Sequence, residues 1–542
     1  MYVLENPVLQ RELLANLRMG RAFILLFAYV ALLGGVVYLA WPADQTLDLT
    51  RNPEASKRLV NLFFLGQYLL VSLMAPSFAA GAITGEKERM SYEMLLASPL
   101  RPGAIVVGKL VASLTHLAIL VFCSLPIVML CLPLGGVSPY EVGAAYIGMF
   151  MSVLLSGMIS LWCSSYFGRT SASLVVSYLL ILPVAMVGVL VWNSLEERGQ
   201  FRVFMLATIV PAVCISISVL LWAKTSRRLL YPPDLGSEGK EVVDLEKEAQ
   251  EAVGLYIKRD EFPDRLFAPP KRNDFLDDGT NPIYDKEMRS EIFSQGTLML
   301  RLVIQISMGL AIPVMAWCLY MQPQYAAWYI LYVILFNILV GPVFSAGSVT
   351  QERERQTLDL LLTTLITPWQ MLWGKLFSGL RVSTVLTAFL LWPVLLACLM
   401  PVGFWESLPT MGGYVLIVGL TCVTTALTAL FCSAIFRKTS VSLMASYLII
   451  LTMFMGPAAI NFFATTFFPT SAGASVAAAI GAMSPVSATF ALPLDMGTDL
   501  SQAANAGDLR IFWGYIGFAS IYLLTLLTAL MWLFNRRWRV SD

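Results

Sequence analysis

The sequence has little charge for its length. Only 13% of its 542 residues are Asp, Glu, Lys or Arg, while 57% are hydrophobic. Soluble domains carry about a quarter of their residues as charged side chains. With a mean hydropathy of +0.72, the chain has too little polar surface to cover the several soluble domains that this length would form. The shortage of charge therefore excludes a soluble globular protein.

Histidine is also scarce, and cysteine is never clustered. The single histidine, His116, lies in an apolar stretch, and the eight cysteines are dispersed without a CxxC pair. Metal centres and disulfide frameworks need such residues grouped at fixed spacings. We therefore expect no metal site and no catalytic residue. The formal net charge of +1 gives no basic surface of the kind that binds nucleic acid, so we expect no nucleic-acid partner.

Long apolar runs, in contrast, are abundant. Each approaches or exceeds the roughly 20 residues that a helix needs to cross a bilayer. The predicted spans lie near 22–40, 60–82, 105–132, 142–166, 173–192, 203–223, 298–319, 327–349, 373–400, 411–435, 441–463 and 511–534. The sequence thus predicts an all-α integral membrane protein of about 12 transmembrane helices. The third and ninth spans are long enough to tilt, or to break at Pro126 and Pro393.

Basic residues are unequally divided between the two sides of the membrane. If the N-terminus is inside, only six of the 36 Lys and Arg residues fall in external loops: Arg51, Lys57, Arg58, Arg198, Arg202 and Arg510. Short cytoplasmic loops carry the excess of Lys and Arg. We therefore expect both termini and the central segment in the cytoplasm, and a location in the cytoplasmic (inner) membrane.

Three sequence blocks recur in the same order in both halves. The matched pairs are 6–13 with 281–288, 78–110 with 344–376, and 162–182 with 431–451. An even number of spans returns each copy to the same face of the membrane, so the two six-helix repeats are parallel. The predicted organisation is a first unit at 1–228, a cytoplasmic linker at 229–280 and a second unit at 281–542.

The loop between the second and third spans carries the strongest functional signal. It begins with an acidic and basic cluster, continues as a short amphipathic segment (92–96, repeated at 358–362) and ends at a proline. Such a helix fits a groove on a soluble partner protein. It could also lie on lipid headgroups, but acidic residues facing an anionic lipid surface favour the protein partner.

The pattern Glu-(Lys/Arg)-Glu-Arg, then Ser or Thr, a Leu-Leu pair, a proline and Gly-Lys resembles permease subunits of ATP-binding-cassette transporters. Within these it is similar to the type-2 export class, with the type V exporter fold. The resemblance covers nearly all of both halves, including interface helices at 6–19 and 281–295. It implies that each loop is a coupling helix that inserts into a cytoplasmic ATPase. The residues carried over by position are Glu86, Glu88, Arg89, Ser91, Leu95, Leu96 and Pro102, and Glu352, Glu354, Arg355, Thr357, Leu361, Leu362 and Pro368.

The resemblance also implies that transport and ATP hydrolysis are carried out by different subunits. Many such permeases have one six-helix unit and dimerise, whereas this chain carries both units, so we expect one permease chain with two separately encoded ATPase subunits. Gly103–Lys109 fits GxxxxGK, but Leu110 follows where a phosphate-binding loop has Ser or Thr. We therefore expect a non-ATPase subunit with no cofactor of its own, whose partners bind ATP and Mg²⁺.

Two other classes fit part of the pattern. Secondary transporters of the major facilitator type also have twelve spans in two parallel repeats. Ion-coupled transport usually needs ionisable residues near the midplane, and the spans of this chain hold few of them. A non-transporting membrane scaffold is the third possibility. We therefore predict an exporter permease that contacts membrane lipid and two ATPases.

Overall fold

The computed structural model describes thirteen stretches of the chain together with a few isolated positions. They are 6–17, 53–88, 91–131, 138–168, 170–195, 199–230, 281–288, 326–354, 356–364, 366–399, 404–467, 472–492 and 509–538. Most of the predicted spans 22–40 and 298–319 and nearly all of the linker 229–280 lie outside these stretches. The described residues up to Leu230 belong to one compact unit, and those from Asn281 onward belong to a second.

The first unit consists of long helices joined by short turns. Its described helices are Pro7–Leu17, Pro53–Ala79, Gly81–Glu88, Tyr92–Leu96, Pro102–Cys131, Pro139–Tyr166, Thr170–Ser194, Gly199–Phe204 and Val210–Leu230. A π-helical segment, Met205–Ile209, joins the last two into one continuous span.

The second unit repeats this order and adds two short helices before its last span. Its described helices are Pro282–Met288, Ala326–Ser345, Thr350–Glu354, Leu358–Leu362, Pro368–Leu399, Phe404–Ile435, Thr439–Ile450, Gly456–Phe467, Ala472–Gly481, Pro485–Phe490 and Leu509–Trp538. Here the π-helical segment is Leu451–Met455, which lies in the eleventh span.

Ten of the described helical stretches are long and apolar enough to cross a membrane. Five belong to each unit, and they confirm predicted spans two to six and eight to twelve. All regular secondary structure in the described residues is helical. A bilayer favours this outcome because a helix satisfies its backbone hydrogen bonds within one segment. The protein is an all-α integral membrane protein, and one further apolar run ahead of each set of five brings the total to about twelve helices.

Prolines begin the long helices and do not break them. Pro102 and Pro368 are the first residues of the third and ninth spans, where a missing N–H removes no helical hydrogen bond. Pro126 and Pro393 lie inside the same two helices, which continue through them. The break expected as one alternative at these prolines therefore does not occur.

A serine of the fourth span fixes the end of the second span that leads into the following loop. The Ser164 hydroxyl accepts hydrogen bonds from the backbone N–H groups of Ile83 at 3.0 Å and Thr84 at 2.9 Å. The equivalent Ser433 accepts two such bonds in the second unit, at 2.9 and 3.1 Å. These N–H groups follow an interruption in the helix, so the serine satisfies donors that would otherwise be buried without a partner. The start of the following loop is thereby fixed.

Candidate functional site

A short helix follows the second span in each unit, and we call it the loop helix: Tyr92–Leu96 in the first unit and Leu358–Leu362 in the second. The backbone N–H of the residue before each loop helix donates a hydrogen bond to the carbonyl of a glutamate earlier in the loop. The Ser91 N–H donates to the Glu86 carbonyl at 3.0 Å, and the equivalent bond in the second unit is 2.9 Å. The two loops therefore have the same backbone fold.

The side chains of these residues also form the same contact. The Ser91 hydroxyl donates to Oε2 of Glu86, and the Thr357 hydroxyl donates to Oε2 of Glu352. The extra methyl group of threonine does not alter this hydrogen bond. The Ser/Thr difference between the two motifs is thus chemically neutral at this position.

A buried lysine completes the first site. Lys109 projects from the third span, and its side chain is 1% exposed. Its Nζ lies 2.7 Å from Oε1 of Glu12 on the interface helix Pro7–Leu17 and 3.4 Å from Oε1 of Glu86. A buried ammonium group needs such partners, because its desolvation costs several kcal/mol otherwise. We call this arrangement the Glu–Lys–Glu cluster.

The second unit contains the same cluster, and a second cation stands near its loop glutamate, as Arg11 does near Glu86 in the first unit. Lys375, also 1% exposed, lies 2.9 Å from Glu287 on the interface helix Pro282–Met288 and 3.7 Å from Glu352. Its Nζ also donates to the Ser348 carbonyl at 2.5 Å. Lys286 pairs with Glu352 at 2.6 Å. In both units the cluster joins the interface helix, the third or ninth span and the loop.

The Asn-Pro and Gly-Lys blocks, repeated in both units, fit against each other. Asn6 donates from Nδ2 to the Ala104 carbonyl at 2.6 Å, and a Cβ on Gly108 would lie only 2.7 Å from that nitrogen. Asn281 donates in the same way in the second unit, at 2.7 Å, where a Cβ on Gly374 would lie 3.0 Å from the interface helix. The glycine therefore allows the interface helix to approach closely and brings the neighbouring lysine to its glutamate.

The basic residue between the two glutamates of each motif caps the fourth or tenth span. Lys87 donates to the carbonyls of Ser165 at 2.8 Å and Phe167 at 2.9 Å. Arg353 donates to two carbonyls at the equivalent helix end, both at 2.7 Å. A cation is favourable there because the last carbonyls of a helix lack partners and carry partial negative charge.

The second glutamate of each motif caps the start of the next span. Oε1 of Glu88 accepts the Thr170 N–H at 2.7 Å. Glu354 accepts both the N–H and the hydroxyl of Thr439, each at 2.9 Å. A carboxylate satisfies the unpaired N–H groups at a helix start. The repeated Glu-(Lys/Arg)-Glu triplet is therefore engaged within its own unit.

The profile of the ABC-2 family transporter proteins matches residues 7–197 and 174–538, which together span most of the sequence. The chain belongs to the ABC-2 transporter family. The search of curated proteins gives no match. The family predicted from the loop motif is confirmed, and this family forms the membrane component of a transporter.

The predicted site residues of this ABC-2 transporter differ in exposure. Glu86 and Glu352 lie inside the clusters, while Glu88 and Glu354 are exposed and act as caps. The partly buried members are Ser91, Leu95, Leu96, Pro102, Thr357, Leu361 and Pro368. Arg89, Arg355 and the side chain of Leu362 lie outside the described residues. Among the described residues, no three His, Cys, Asp or Glu side chains gather as a metal site would require.

The most exposed apolar side chains of these loops were not in the predicted set. Met94 is 78% exposed and Leu360 is 71% exposed, at equivalent positions of the two loop helices. The sequence contained a signal for them: Tyr92, Leu95 and Leu96 have the i, i+3, i+4 spacing of one helix face, which leaves Met94 on the opposite face. The ABC-2 transporter therefore presents an apolar side chain at the tip of each loop helix.

The inner face of each loop helix is anchored. Tyr92 is only 8% exposed, and its ring lies 5.5 Å from Lys87 Nζ in a cation–π contact. Burial raises the pKa of the Tyr92 phenol above its usual value, so the group stays neutral. In the second unit, Leu358 and Leu361 pack against the buried core. The exposed side chains of Met94 and Leu360 therefore project from helices whose opposite faces are packed against their own unit.

Proposed function

We propose that this chain is the permease subunit of an ATP-binding-cassette exporter and that each loop helix docks into one separately encoded ATPase subunit. The family assignment supports the transporter class. The two loops support the stoichiometry of one permease chain to two ATPases, because the same docking structure occurs once in each unit. ATP and Mg²⁺ are bound by the ATPases in this arrangement, and the permease itself performs no catalysis.

The observation that carries the proposal is the pair of exposed apolar tips. Met94 and Leu360 are largely exposed, although their neighbours Tyr92 and Leu361 pack inward. An amphipathic helix of this kind fits a hydrophobic groove on a partner. Burial of one such side chain in a groove contributes about 1.5–3 kcal/mol to binding. The acidic Glu93 beside Met94 is exposed as well, which favours a protein partner over the anionic lipid surface.

In this mechanism the Glu–Lys–Glu clusters transmit movement of the loop helices to the spans and the interface helices. Movement of an ATPase would displace the loop helix that it holds. Because Lys109 ties Glu86 of the loop to Glu12 of the interface helix, the third span and the interface helix would move with the loop. The same holds for Lys375 in the second unit. Packed elements that move as rigid bodies are a common basis of such transitions.

We further propose that both termini face the cytoplasm of a cell with the permease in its cytoplasmic (inner) membrane. The distribution of basic residues supports this orientation, and it places both loop helices where an ATPase can reach them. The test is a fluorescent reporter that matures only in the cytoplasm, fused after Asp542. Bright cells are expected, and dark cells with normal amounts of protein would reverse the orientation.

Co-purification with an ATPase tests the docking assignment. The chain is purified from its own membrane in mild detergent, and the number of ATPase molecules per permease is measured by native mass spectrometry. We expect two for the wild type, one for Met94→Glu or Leu360→Glu alone, and none for the double variant. A carboxylate placed in an apolar groove is desolvated without a partner, which weakens binding strongly.

The control is Arg437→Glu, which adds negative charge at an exposed position in another loop and is expected to retain two ATPases. Retention of both ATPases by the double tip variant would refute the docking assignment. Proton-driven uptake by vesicles without ATP would refute the ATP-driven mechanism and would support secondary transport.

A further inference from the structure

A cleft of about 550 Å³ lies in the second unit, between the interface helix and the first half of the ninth span. Small-molecule ligands occupy cavities of about 300–1,000 Å³. Asn281 and Tyr284 line the cleft on the side of the interface helix, and Trp373, Phe377 and Arg381 line it on the side of the span. The proposed function uses Asn281 to seat the interface helix and assigns no role to the other four. The cleft is therefore a separate candidate site.

Arg381 is the cation of the cleft. Its Nη1 donates to the Tyr284 hydroxyl at 2.7 Å, and the other donors of the guanidinium have no acceptor among the described residues. None of the described residues that line the cleft is Asp or Glu, and the cluster glutamates Glu287 and Glu352 are paired with Lys375. A guanidinium within an apolar span is costly unless an anion or acceptor accompanies it. The cleft thus has the charge of an anion site.

Two further side chains of the cleft have a donor to offer. The Tyr284 hydroxyl accepts from Arg381, so its own proton is left to donate. Trp373 lines the cleft, and its indole N–H is buried without a hydrogen-bond partner among the described residues. Buried donors without a partner are uncommon in proteins. The polar groups of the cleft therefore match a ligand that brings acceptors.

The apolar part of the cleft consists of two stacked rings. The ring centroids of Trp373 and Phe377 are 5.0 Å apart, with the ring planes 23° from parallel, and Phe377 is 50% exposed. Trp373, Phe377 and Arg381 follow one another at intervals of four residues, which places them on one face of the helix. An aromatic ring of a ligand can stack on such a surface. The cleft thus combines a cation with an aromatic wall.

The order of these residues gives the orientation of a ligand. Trp373 and Phe377 precede Arg381 in the ninth span, so the rings lie nearer the loop helix than the guanidinium does. The anionic end of a ligand would therefore point away from the loop helix, and its apolar body would point toward it. Trp373 and Arg381 are about 12 Å apart along the helix axis. This length suits a compact molecule of one or two rings.

We propose that this cleft binds a compact aromatic carboxylate, with its carboxylate on Arg381 and Tyr284 and its ring against Phe377 and Trp373. Hydrogen bonds from a guanidinium to a carboxylate are strong because both groups are charged, and the planar guanidinium can donate two of them side by side. The hydroxyl of Tyr284 adds a third donor. The aromatic wall then selects anions that carry a ring over simple inorganic anions.

The first unit offers no such site. Val107, Val111 and Thr115 stand where the second unit has Trp373, Phe377 and Arg381, and Leu9 stands where it has Tyr284. These positions supply neither a cation nor an aromatic ring. One ligand per chain, in the second unit, is therefore the expected number.

Photocross-linking of the full-length chain in detergent tests the proposal. The probe is para-benzoylbenzoate, a benzophenone with one carboxylate, and para-benzoylbenzamide is its uncharged analogue. We expect the carboxylate to label one site per chain and the amide to label it roughly tenfold less at equal concentration. Peptide mass spectrometry should place the attachment at Tyr284 or within 373–380, on the loop side of Arg381. Attachment only beyond Arg381 would overturn the proposed orientation and with it the site.

Variants of the cleft separate the charge from the shape. Arg381→Gln should reduce labelling by the carboxylate roughly tenfold, and Arg381→Lys should reduce it less, because it keeps the charge but loses the planar pair of donors. The exposed Arg437→Gln is the matched control and should be labelled as the wild type is. Phe377→Glu places a carboxylate four residues before Arg381, the favoured orientation for a helical ion pair. It should abolish labelling by occupying the guanidinium.

Three results would contradict the proposal. Equal labelling by the carboxylate and the amide would show that the cation plays no part, as would unchanged labelling in both Arg381→Gln and Phe377→Glu. Competition by inorganic phosphate at a concentration equal to that of the probe would show that the rings contribute nothing. Displacement of the probe by phosphatidylglycerol but not by benzoate would make the cleft a lipid site.

Discussion

The two units of this chain agree around their loop helices and differ in most polar contacts between their spans. Lys109 and Lys375 are equally buried and bind equivalent glutamates of the interface helix and the loop. One contact between spans is shared, because a tyrosine hydroxyl donates to the equivalent leucine carbonyl in each unit, at 3.0 and 2.5 Å. The polar contacts centred on Gln67 and Asn337 have no common positions.

The polar contacts of the first unit are centred on a glutamine. Gln67 of the second span donates to Ser124 of the third at 2.6 Å, and Ser124 is 2.9 Å from the Tyr146 hydroxyl of the fourth. The three spans are thus joined through a short chain of polar groups. Each group would be costly in lipid without a partner.

In the second unit the polar contacts between spans are centred on an asparagine, at a different position along the span from Gln67. Asn337 is fully buried and donates to Ser383 at 3.2 Å and Thr387 at 3.1 Å, and its Oδ1 accepts from Thr425 at 3.1 Å. The gap-free alignment of the repeat places Val71 of the first unit opposite Asn337. Any facing pair of positions can supply such a bond between helices, whereas the cluster must hold one loop at one place. This difference explains why the cluster recurs while the contacts of Gln67 and Asn337 do not.

Loss of a cluster lysine should have the largest effect. Lys109→Ala or Lys375→Ala removes the buried cation that joins two partly buried carboxylates, which costs about 3–5 kcal/mol. Lys375→Ala also removes the donor of the Ser348 carbonyl but leaves Lys286 beside Glu352, so the two variants should lose similar amounts. The measurement is the free energy of unfolding in mixed detergent and SDS. Lys224→Ala, at an exposed position, is the control. Equal stability of the cluster and control variants would refute a shared structural role.

A methyl group on the glycine that both units share should have the next largest effect. Gly108→Ala places Cβ 2.7 Å from Asn6, and Gly374→Ala places it 3.0 Å from Ile283, so the interface helix must shift. Overpacking of this kind costs about 1–3 kcal/mol, and the first unit should lose more. Gly419→Ala, with no atom within 4 Å of the added carbon, should be neutral or stabilising. A Gly108→Ala protein as stable as this control would show that the interface helix is loosely seated.

Replacement of Asn337 should show how much stability the second unit gains from its own polar contacts between spans. Asn337→Val installs the residue type found at the equivalent position of the first unit. The expected loss is about 1 kcal/mol, a typical value for a hydrogen bond between membrane helices. It is smaller than the cluster effect because the two threonine hydroxyls also bond to their own helices. Thr452→Val, at an exposed position of the eleventh span, is the control. A loss as large as that of Lys375→Ala would contradict this ranking.

The smallest effect concerns the backbone conformation of one residue in the second loop, Gln356. Gln356 has φ of 57°, in the left-handed region, which costs a residue with a Cβ about 1 kcal/mol. Gln356→Gly should therefore raise the stability by about 0.5 kcal/mol, after the greater entropy of glycine in the unfolded chain is subtracted. Thermal unfolding in detergent measures it, with Thr364→Gly as the control. A destabilised Gln356→Gly protein would mean that the glutamine side chain stabilises the turn.

The sequence predicts the position of each loop, but it does not predict which side chains of the loop point inward and which point outward. The repeat identified the loop, and the motif identified the family. The motif did not reveal that Glu86 and Glu352 bind inward while Met94 and Leu360 point outward. A charged residue in a polar loop is consistent with either direction. Only the position of the buried lysine distinguishes them.

The sequence alone determined the apolar spans, the two units and the place of each loop, because hydropathy and repetition are properties of neighbouring residues along the chain. The tertiary structure decided which charges meet. Glu12 and Lys109 are 97 residues apart and Glu287 and Lys375 are 88 apart. A pairing at that separation depends on how the interface helix packs against the span, and this packing requires Gly108 and Gly374 to admit Asn6 and Asn281. The physical reason is that a buried charge is stable only where its partner is held by other elements of the fold.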